Sequence, residues 1–157
     1  EGAAFVYHGS SSGLGASPAW SYQSNAKEAR LGWSVASAGD VNKDGYDDVI
    51  VGAPNYDDTR TEVEVSNVGA IFLFLGSASG LHTTPDWTYI GTQAGAQIGR
   101  SVAGAGDANG DGYLDLAAGA PYTDAFDAEV GKISDAGAVY VFLGSASGFA
   151  AAPDWAA

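Results

Sequence analysis

The chain contains the stretch Asp40-Val41-Asn42-Lys43-Asp44-Gly45-Tyr46-Asp47-Asp48, which recurs as Asp107-Ala108-Asn109-Gly110-Asp111-Gly112-Tyr113-Leu114-Asp115. Both copies follow the pattern D-x-N-x-D-G-x-x-D, so side-chain oxygens stand at loop positions 1, 3, 5 and 9. A glycine occupies position 6, where a tight loop needs a residue that tolerates a positive φ. Hard cations such as Ca²⁺ bind roughly six to eight oxygens at about 2.3–2.6 Å. The sequence therefore predicts two calcium loops.

The predicted ligands are the side chains at these positions and the backbone carbonyl at position 7. They are Asp40, Asn42, Asp44, Tyr46 and Asp48 in the first loop, and Asp107, Asn109, Asp111, Tyr113 and Asp115 in the second. We expect one Ca²⁺ per loop, hence two per chain, and nearly independent effects of mutations in the two loops. A solvated turn without metal is the alternative, because Asp, Asn and Gly also favour plain turns.

The residues that follow each loop indicate a β setting. Residues 49–54 and 116–121 are short apolar runs that end in Gly-Ala-Pro, a pattern typical of a strand. An EF-hand would instead carry Glu at position 12 and continue as a helix. Position 12 is Val51 in one copy and Ala118 in the other. Each loop is therefore predicted to join two strands, with the Asp at position 9 replacing the missing Glu.

The chain is built from an internal repeat. Trp20, Trp87 and Trp155 recur at spacings of 67 and 68 residues. Each full repeat offers four short strands, predicted at 33–38, 48–52, 70–75 and 86–90, and again at 100–105, 115–119, 138–143 and 154–156. Four short strands per repeat indicate β-propeller blades. We predict an all-β chain of about two and a half four-stranded antiparallel blades in one structural domain: a half repeat at 1–22 (strands three and four of a blade) and full repeats at 23–90 and 91–157.

The repeats resemble a known family. Leu31-Gly32-Trp33, the first loop and Gly52-Ala53-Pro54 resemble an FG-GAP repeat, and so do Ile98-Gly99-Arg100, the second loop and Gly119-Ala120-Pro121. Repeats of this family form the blades of the integrin α-subunit propeller and of many bacterial surface proteins. The resemblance implies integrin-like blades in an adhesion protein. The chain departs from the family in Leu31 and Ile98, which replace Phe, and in the Asn that replaces Asp as second metal ligand.

Composition excludes several functions. The 157 residues carry 19 acids and 6 bases, a net charge of −13, which argues against nucleic acid and anionic membranes as partners. No apolar run approaches the roughly 20 residues of a membrane span, so we expect no membrane insertion. The absence of Cys excludes disulfides and zinc–thiolate sites. The chain begins at Glu1 and contains no Met, as expected of a processed or excised product. Weak calcium sites point to a secreted or cell-surface location.

Catalytic motifs are weak. Gly9-Ser10-Ser11-Ser12-Gly13 matches the G-x-S-x-G nucleophile elbow, but the equivalent turns have Ala78 and Ala146 at the middle position and no helical pattern follows. We interpret this segment as a turn. His8 and His82 show no partner in the sequence, so we expect no general acid–base role and no enzyme activity.

Two longer connections, at 55–68 and 122–136, each carry a net charge of −3. We expect a solvated acidic rim, with a partner-binding surface as the functional alternative; in the resembling family, connections of this kind build the ligand face. The recurring tryptophans are expected to pack within or between blades, and a sugar-stacking platform is the alternative. We therefore predict a non-enzymatic calcium-binding adhesion or assembly module with a protein or glycan ligand, and a carbohydrate-binding, lectin-like propeller as the alternative.

The predicted terminal blades leave apolar faces and strand edges unpaired. We expect these to be covered by copies of the chain, in a ring or a filament, or by further blades of a longer chain.

Overall fold

The computed structural model describes residues 1–60, 62 and 64–157, and its regular elements are β-strands. Within that part of the chain, the strands are β1 (Ala4–Val6), β2 (Gly9–Ser10), β3 (Gly13–Leu14), β4 (Trp20–Tyr22), β5 (Ser34–Gly39), β6 (Asp48–Ala53), β7 (Ala70–Phe74), β8 (Trp87–Ile90), β9 (Ser101–Gly106), β10 (Asp115–Ala120), β11 (Ala125–Asp127), β12 (Gly131–Ile133), β13 (Ala138–Phe142) and β14 (Trp155–Ala156). The all-β prediction is confirmed. Among the described residues, no helix is long and apolar enough to cross a membrane.

Two four-stranded antiparallel sheets make up most of the structure. Strands β5, β6, β7 and β8 lie side by side in chain order and form the first blade. Strands β9, β10, β13 and β14 form the second blade in the same way. Strands β1 and β4 pair with each other and form a half blade. The eight blade strands match their predicted positions to within one residue, while the repeat boundaries proposed at 22 and 90 stay predictions.

The first blade lies between the half blade and the second blade. Successive side chains of β7 point to opposite faces of the sheet. Phe72 and Phe74 pack in a cluster with Ala4 and Trp20 of the half blade. Ile71 and Leu73 join the second cluster, which contains residues of the second blade such as Leu116 and Phe142. All five residues of β7 are buried, so β7 is the centre of the core.

Contacts between the blades recur with the repeat. The indole nitrogen Nε1 of Trp20 donates to the carbonyl of His82 at 2.9 Å, and Nε1 of Trp87 donates to the carbonyl of Ala150 at 3.1 Å. Trp20 packs edge-on against Phe74, with ring centroids 4.9 Å apart. The packing predicted for these two tryptophans is confirmed.

The outer face of the second blade is open in this chain. Trp155 is 54% exposed and Val139 is 46% exposed, whereas Ile71, the first-blade residue equivalent to Val139, is fully buried. The packing prediction is therefore wrong for Trp155 in the part of the chain that the structure describes. There, no blade lies against that face to supply the aromatic partner that Phe74 provides for Trp20 and Phe142 for Trp87.

The connections differ from simple loops. Residues 122–136 form the β11–β12 hairpin, while in 55–68 residues Asp58 and Val65 make one antiparallel bridge. Thr61 and Val63, which belong to the predicted connection 55–68, lie outside the described residues. Both connections join the second and third strands of a blade, so they lie at the end of the sheet opposite the predicted calcium loops.

Candidate metal centres

Each predicted calcium loop leaves its blade at a bulge between the first two strands. The register shifts between Ser37 and Gly39 in the first blade and at Asp115/Leu116 in the second. Gly39 has φ of +72° and Gly106 has φ of +71°, a conformation in which glycine has no Cβ penalty. The irregular pairing directs the chain out of the sheet and into the loop.

The Asp at position 1 organises the backbone of the first loop. Oδ1 of Asp40 accepts the backbone N–H of Asp44 at 3.0 Å, and Oδ2 accepts that of Gly45 at 2.8 Å. Oδ1 of Asn42 also accepts the Asp44 N–H, at 3.1 Å, while its amide nitrogen donates to Oδ2 of Asp44 at 2.9 Å. Gly45 adopts φ of +92°, which explains the glycine at position 6.

The second loop repeats this arrangement. Asp107 accepts the backbone N–H groups of Asp111 at 3.0 Å and Gly112 at 2.8 Å. The amide nitrogen of Asn109 donates to Oδ2 of Asp111 at 2.9 Å. The pKa of Asp111 is lowered, first by the backbone N–H of Tyr113, then by Asn109 and by the charge of Lys43. Two loops of different sequence at positions 2, 4 and 8 thus share one hydrogen-bond pattern.

The Asp at position 9 lies at the base of each loop and is fully buried. Oδ2 of Asp48 accepts the N–H of Val41 at 2.8 Å, and Oδ1 accepts that of Gly76 at 2.7 Å. Asp115 makes the same two bonds, to Ala108 at 2.7 Å and Gly144 at 2.8 Å. These carboxylates tie the loop to the Gly/Ser turn after the third strand, a link that the loop pattern did not reveal.

Burial is the main cause that raises the pKa of Asp48. The two backbone N–H bonds oppose the shift, while the negative charges of Asp44 and Asp40 add to it. A buried carboxylate beside two others is in an environment where a bound cation would be favourable.

The donor set of each loop fits a hard divalent cation, because carboxylate, amide and carbonyl groups supply only oxygen. In the described part of the chain, no group of three or more His, Cys, Asp or Glu side chains is arranged as a metal site. The carboxylates instead turn toward backbone N–H groups of the loop and of the Gly/Ser turn. Calcium binding by these ten residues stays a prediction.

The histidine prediction needs correction. Nδ1 of His82 lies 2.8 Å from Oδ1 of Asp86, so His82 does have a partner, which raises its pKa. The turn between β7 and β8 brings the two residues together. Oδ2 of Asp86 accepts the N–H of Leu75 at 2.8 Å, and Asp154 makes the same bond to Leu143 in the second blade, where no histidine occurs. The aspartate therefore braces the turn.

The G-x-S-x-G segment forms a hairpin. Gly9–Ser10 and Gly13–Leu14 pair as β2 and β3, and Oγ of Ser10 donates to the carbonyl of Gly13 at 2.9 Å. This geometry differs from the strand–turn–helix context of a nucleophile elbow. The interpretation as a turn is confirmed.

The acidic connections contain ion pairs and an apolar tip. Arg60 donates Nε and an η-nitrogen to the carboxylate of Asp58 at 2.8 and 2.9 Å, which lowers the pKa of Asp58 to about 2. Lys132 lies 2.7 Å from Asp124. On the β11–β12 hairpin, Phe126 is 80% exposed and Val130 is 75% exposed. The sequence does carry a signal for this hairpin: apolar and polar residues alternate from Phe126 to Val130, directly before Gly131. The net charge of the connection gives no indication of it.

Comparison with known proteins agrees with this architecture. A model of the FG-GAP repeat family matches residues 31–74 and 98–142. Integrin alpha-IIb of Mus musculus is 39% identical over 124 residues, and integrin alpha-5 of Xenopus laevis is 34% identical over 123 residues. Phosphatidylinositol-glycan-specific phospholipase D of Bos taurus is 37% identical over 139 residues. The alignments cover 78% of this chain for the two integrins and 84% for the phospholipase, but only 11% and 15% of those relatives.

The four-stranded blades and the aspartate-rich loop between their first two strands define a β-propeller repeat protein. The chain belongs to the FG-GAP repeat family, and its blades are integrin-like.

Proposed function

We propose that the chain is part of an extracellular or cell-surface adhesion or assembly module, non-enzymatic, whose blades each hold one structural Ca²⁺. The observation that carries the calcium proposal is the shared hydrogen-bond pattern of the two loops, with a buried Asp at each base. The integrin relatives support the adhesion role. The chain spans only 11% of the length of these relatives.

The proposed ligands in the first loop are Asp40, Asn42, Asp44, Asp48 and the carbonyl of Tyr46. Bound calcium supplies positive charge that offsets the repulsion among the three carboxylates. The protein supplies the loop: Asp40 holds its backbone in place, and Asp48 anchors it to Gly76. Metal bound only by the folded chain stabilises that chain by mass action.

Isothermal titration calorimetry tests the calcium proposal. We expect close to two Ca²⁺ per chain, with dissociation constants weaker than roughly 10⁻⁵ M. Asp44→Ala should remove one binding event and Asp111→Ala the other. Addition of EDTA should lower the melting temperature. Absence of calcium uptake, or a preference for Zn²⁺, would refute the proposal.

The partner-binding surface that we propose is the acidic end of the second blade. The exposed Phe126 and Val130 lie on the β11–β12 hairpin among Asp124, Asp127 and Glu129. Aromatic side chains contribute strongly to protein interfaces, and the surrounding acids would favour a partner with basic residues at its rim. Phe126→Ser should abolish adhesion to an integrin-type protein ligand without a change in melting temperature. Unchanged adhesion would remove this surface from the proposal.

The open face of the second blade supports assembly with further blades, from a longer chain or from copies in a ring or filament. Ser34 on the first blade donates Oγ to the carbonyl of Gly99 at 2.7 Å, whereas its equivalent Ser101 on the second blade is exposed. Sedimentation of the 157-residue chain in calcium buffer should show species larger than the monomer. A well-folded monomer at micromolar concentration would show that the exposed face does not drive association.

A carbohydrate-binding propeller remains the second candidate, because one cleft suits a sugar. This cleft of about 390 Å³ lies between the blades and is lined by Trp87, Phe149 and Tyr113 together with the polar Asn42 and Asp86. Aromatic walls with a few polar groups are typical of small-ligand sites. A glycan array would distinguish the candidates: binding that Trp87→Ala abolishes favours the lectin function.

A further inference from the structure

One side chain of the first loop reaches the second loop. Lys43 stands at position 4 of the first loop, where its φ is +62°. Its ammonium nitrogen Nζ lies 3.5 Å from the centre of the Tyr113 ring. A Cβ built on Gly112 would lie 3.8 Å from the same nitrogen. The positive charge of Lys43, a residue of the first loop, therefore lies directly over a residue of the second loop.

The surroundings of Tyr113 are anionic. Its backbone N–H donates to Oδ1 of Asp111 at 2.8 Å, and the neighbouring Gly112 N–H donates to Asp107 at 2.8 Å. An ammonium over the ring of Tyr113 thus partly offsets the negative charge of Asp111, and it gains a cation–π contact.

The contact is specific to the second loop. Tyr46 occupies the same position in the first loop and is 44% exposed, and within the described residues no cation lies over its ring. The residue equivalent to Lys43 in the second loop is Gly110, so the second loop offers no such group to a following blade. Two loops with the same ligand types therefore differ in their electrostatic environment.

We propose that Lys43 is a tethered cation for the second loop: it steadies that loop in the absence of metal and lowers its affinity for Ca²⁺. This inference rests on the calcium function proposed above. Lys43 compensates part of the carboxylate charge when the metal is absent and repels the metal when it arrives. The two loops consequently bind calcium with different affinities, and mutations in them are coupled, in contrast to the independence expected from sequence.

The size of the effect follows from Coulomb's law. A unit charge roughly 10 Å from a divalent ion changes the affinity by about 4-fold in the dielectric of bulk water; a lower effective dielectric near the surface enlarges this effect and screening by salt reduces it. Salt screens exposed charges over about 8 Å at physiological ionic strength, so the effect should shrink as salt is added.

Calorimetry with Lys43→Met tests the proposal in the Asp44→Ala background, which leaves the second loop to bind. Methionine keeps an unbranched apolar stem and removes the charge. The matched control is Lys132→Met, which changes the net charge equally but at the far end of the second blade. We expect Lys43→Met to tighten calcium binding by about 2–10-fold at low salt, and the control to change it by less than about 2-fold.

A second measurement uses the intact calcium loops. The amide resonance of Gly112, whose N–H donates to Asp107, reports on the second loop in a calcium titration of the full chain.

Without calcium, Lys43→Met should also lower the melting temperature by about 1–4 °C, because one exposed cation–π contact is lost.

The outcomes separate the two proposals. If the chain takes up no calcium, both the calcium function and the tethered-cation role are refuted. If calcium binds and Lys43→Met changes the calcium affinity of the second loop no more than Lys132→Met does, only the tethered-cation role is refuted.

Discussion

Gly52→Ala and Gly119→Ala are equivalent substitutions in the two Gly-Ala-Pro motifs, and the structure predicts different outcomes for them. A Cβ on Gly52 would lie 2.9 Å from the carbonyl carbon of Gly99 and closer still to its oxygen. A Cβ on Gly119 would meet only the side chain of Ser101, with Oγ at 2.5 Å. A serine hydroxyl can rotate away, whereas the backbone of Gly99 can move only if the blades separate.

The expected costs follow from this contrast. Overpacking a rigid contact destabilises a protein by about 1–3 kcal/mol, and the Ser34–Gly99 hydrogen bond at 2.7 Å, worth about 1 kcal/mol, would be strained as well. Gly52→Ala should therefore lower the free energy of unfolding by about 2–4 kcal/mol. Gly119→Ala should cost less than about 1 kcal/mol, since its clash is with one flexible side chain.

Thermal unfolding of both variants, followed by circular dichroism in excess calcium, measures the difference. About 1 kcal/mol corresponds to roughly 2–4 °C for a domain of this size, so Gly52→Ala should melt at least about 4 °C lower and Gly119→Ala within about 4 °C of the wild type. Equal losses at low protein concentration would refute the close approach of Gly99 to Gly52. A Gly119→Ala loss that grows with protein concentration would instead indicate that a copy packs on the open face.

Three further predictions concern single side chains. Asp48→Asn should destabilise the calcium-free chain by about 2–4 kcal/mol in urea titrations, because two buried N–H groups lose a charged acceptor; an unchanged midpoint would contradict the anchoring role. The folded pKa of His82 is raised by Asp86, so the stability from this pair is present below about pH 6.5 and lost as pH rises through the raised value; His82→Ala should therefore lower the melting temperature more at acidic than at alkaline pH. The pKa of Asp58 is about 2 against 3.8 unfolded, so the advantage of wild type over Arg60→Ala should shrink as pH falls through this range to a small remainder at pH 2; a difference at pH 2 as large as that at neutral pH would contradict it.

The local pattern of this chain could be predicted because each feature depends on near neighbours. Turn residues and short apolar runs placed the eight blade strands to within one residue. Gly45, at the sixth position of the first loop, has the positive φ that the loop motif requires. The repeat spacing of Trp20 and Trp87 predicted equivalent packing, because equivalent blades bury equivalent residues.

Contacts between residues distant in sequence could not be predicted in this way. No local rule shows that Asp48 reaches the N–H of Gly76, that Lys43 lies over Tyr113, or that Phe126 stands exposed on a hairpin.

The sequence by itself determined the strands, the two aspartate-rich loops and the blade repeat. Each of these depends on residues a few positions apart: apolar residues in short runs form strands, and Asp, Asn and Gly side by side form the hydrogen-bonded loops. The tertiary structure alone decided which repeat is buried and which is open. Val139 and Ile71 have the same place in their repeats, yet one is 46% exposed and the other fully buried. The physical reason is that a residue on the face of a blade is buried only where another blade packs against that face. Which blades are neighbours depends on the tertiary arrangement and not on the residues around that position.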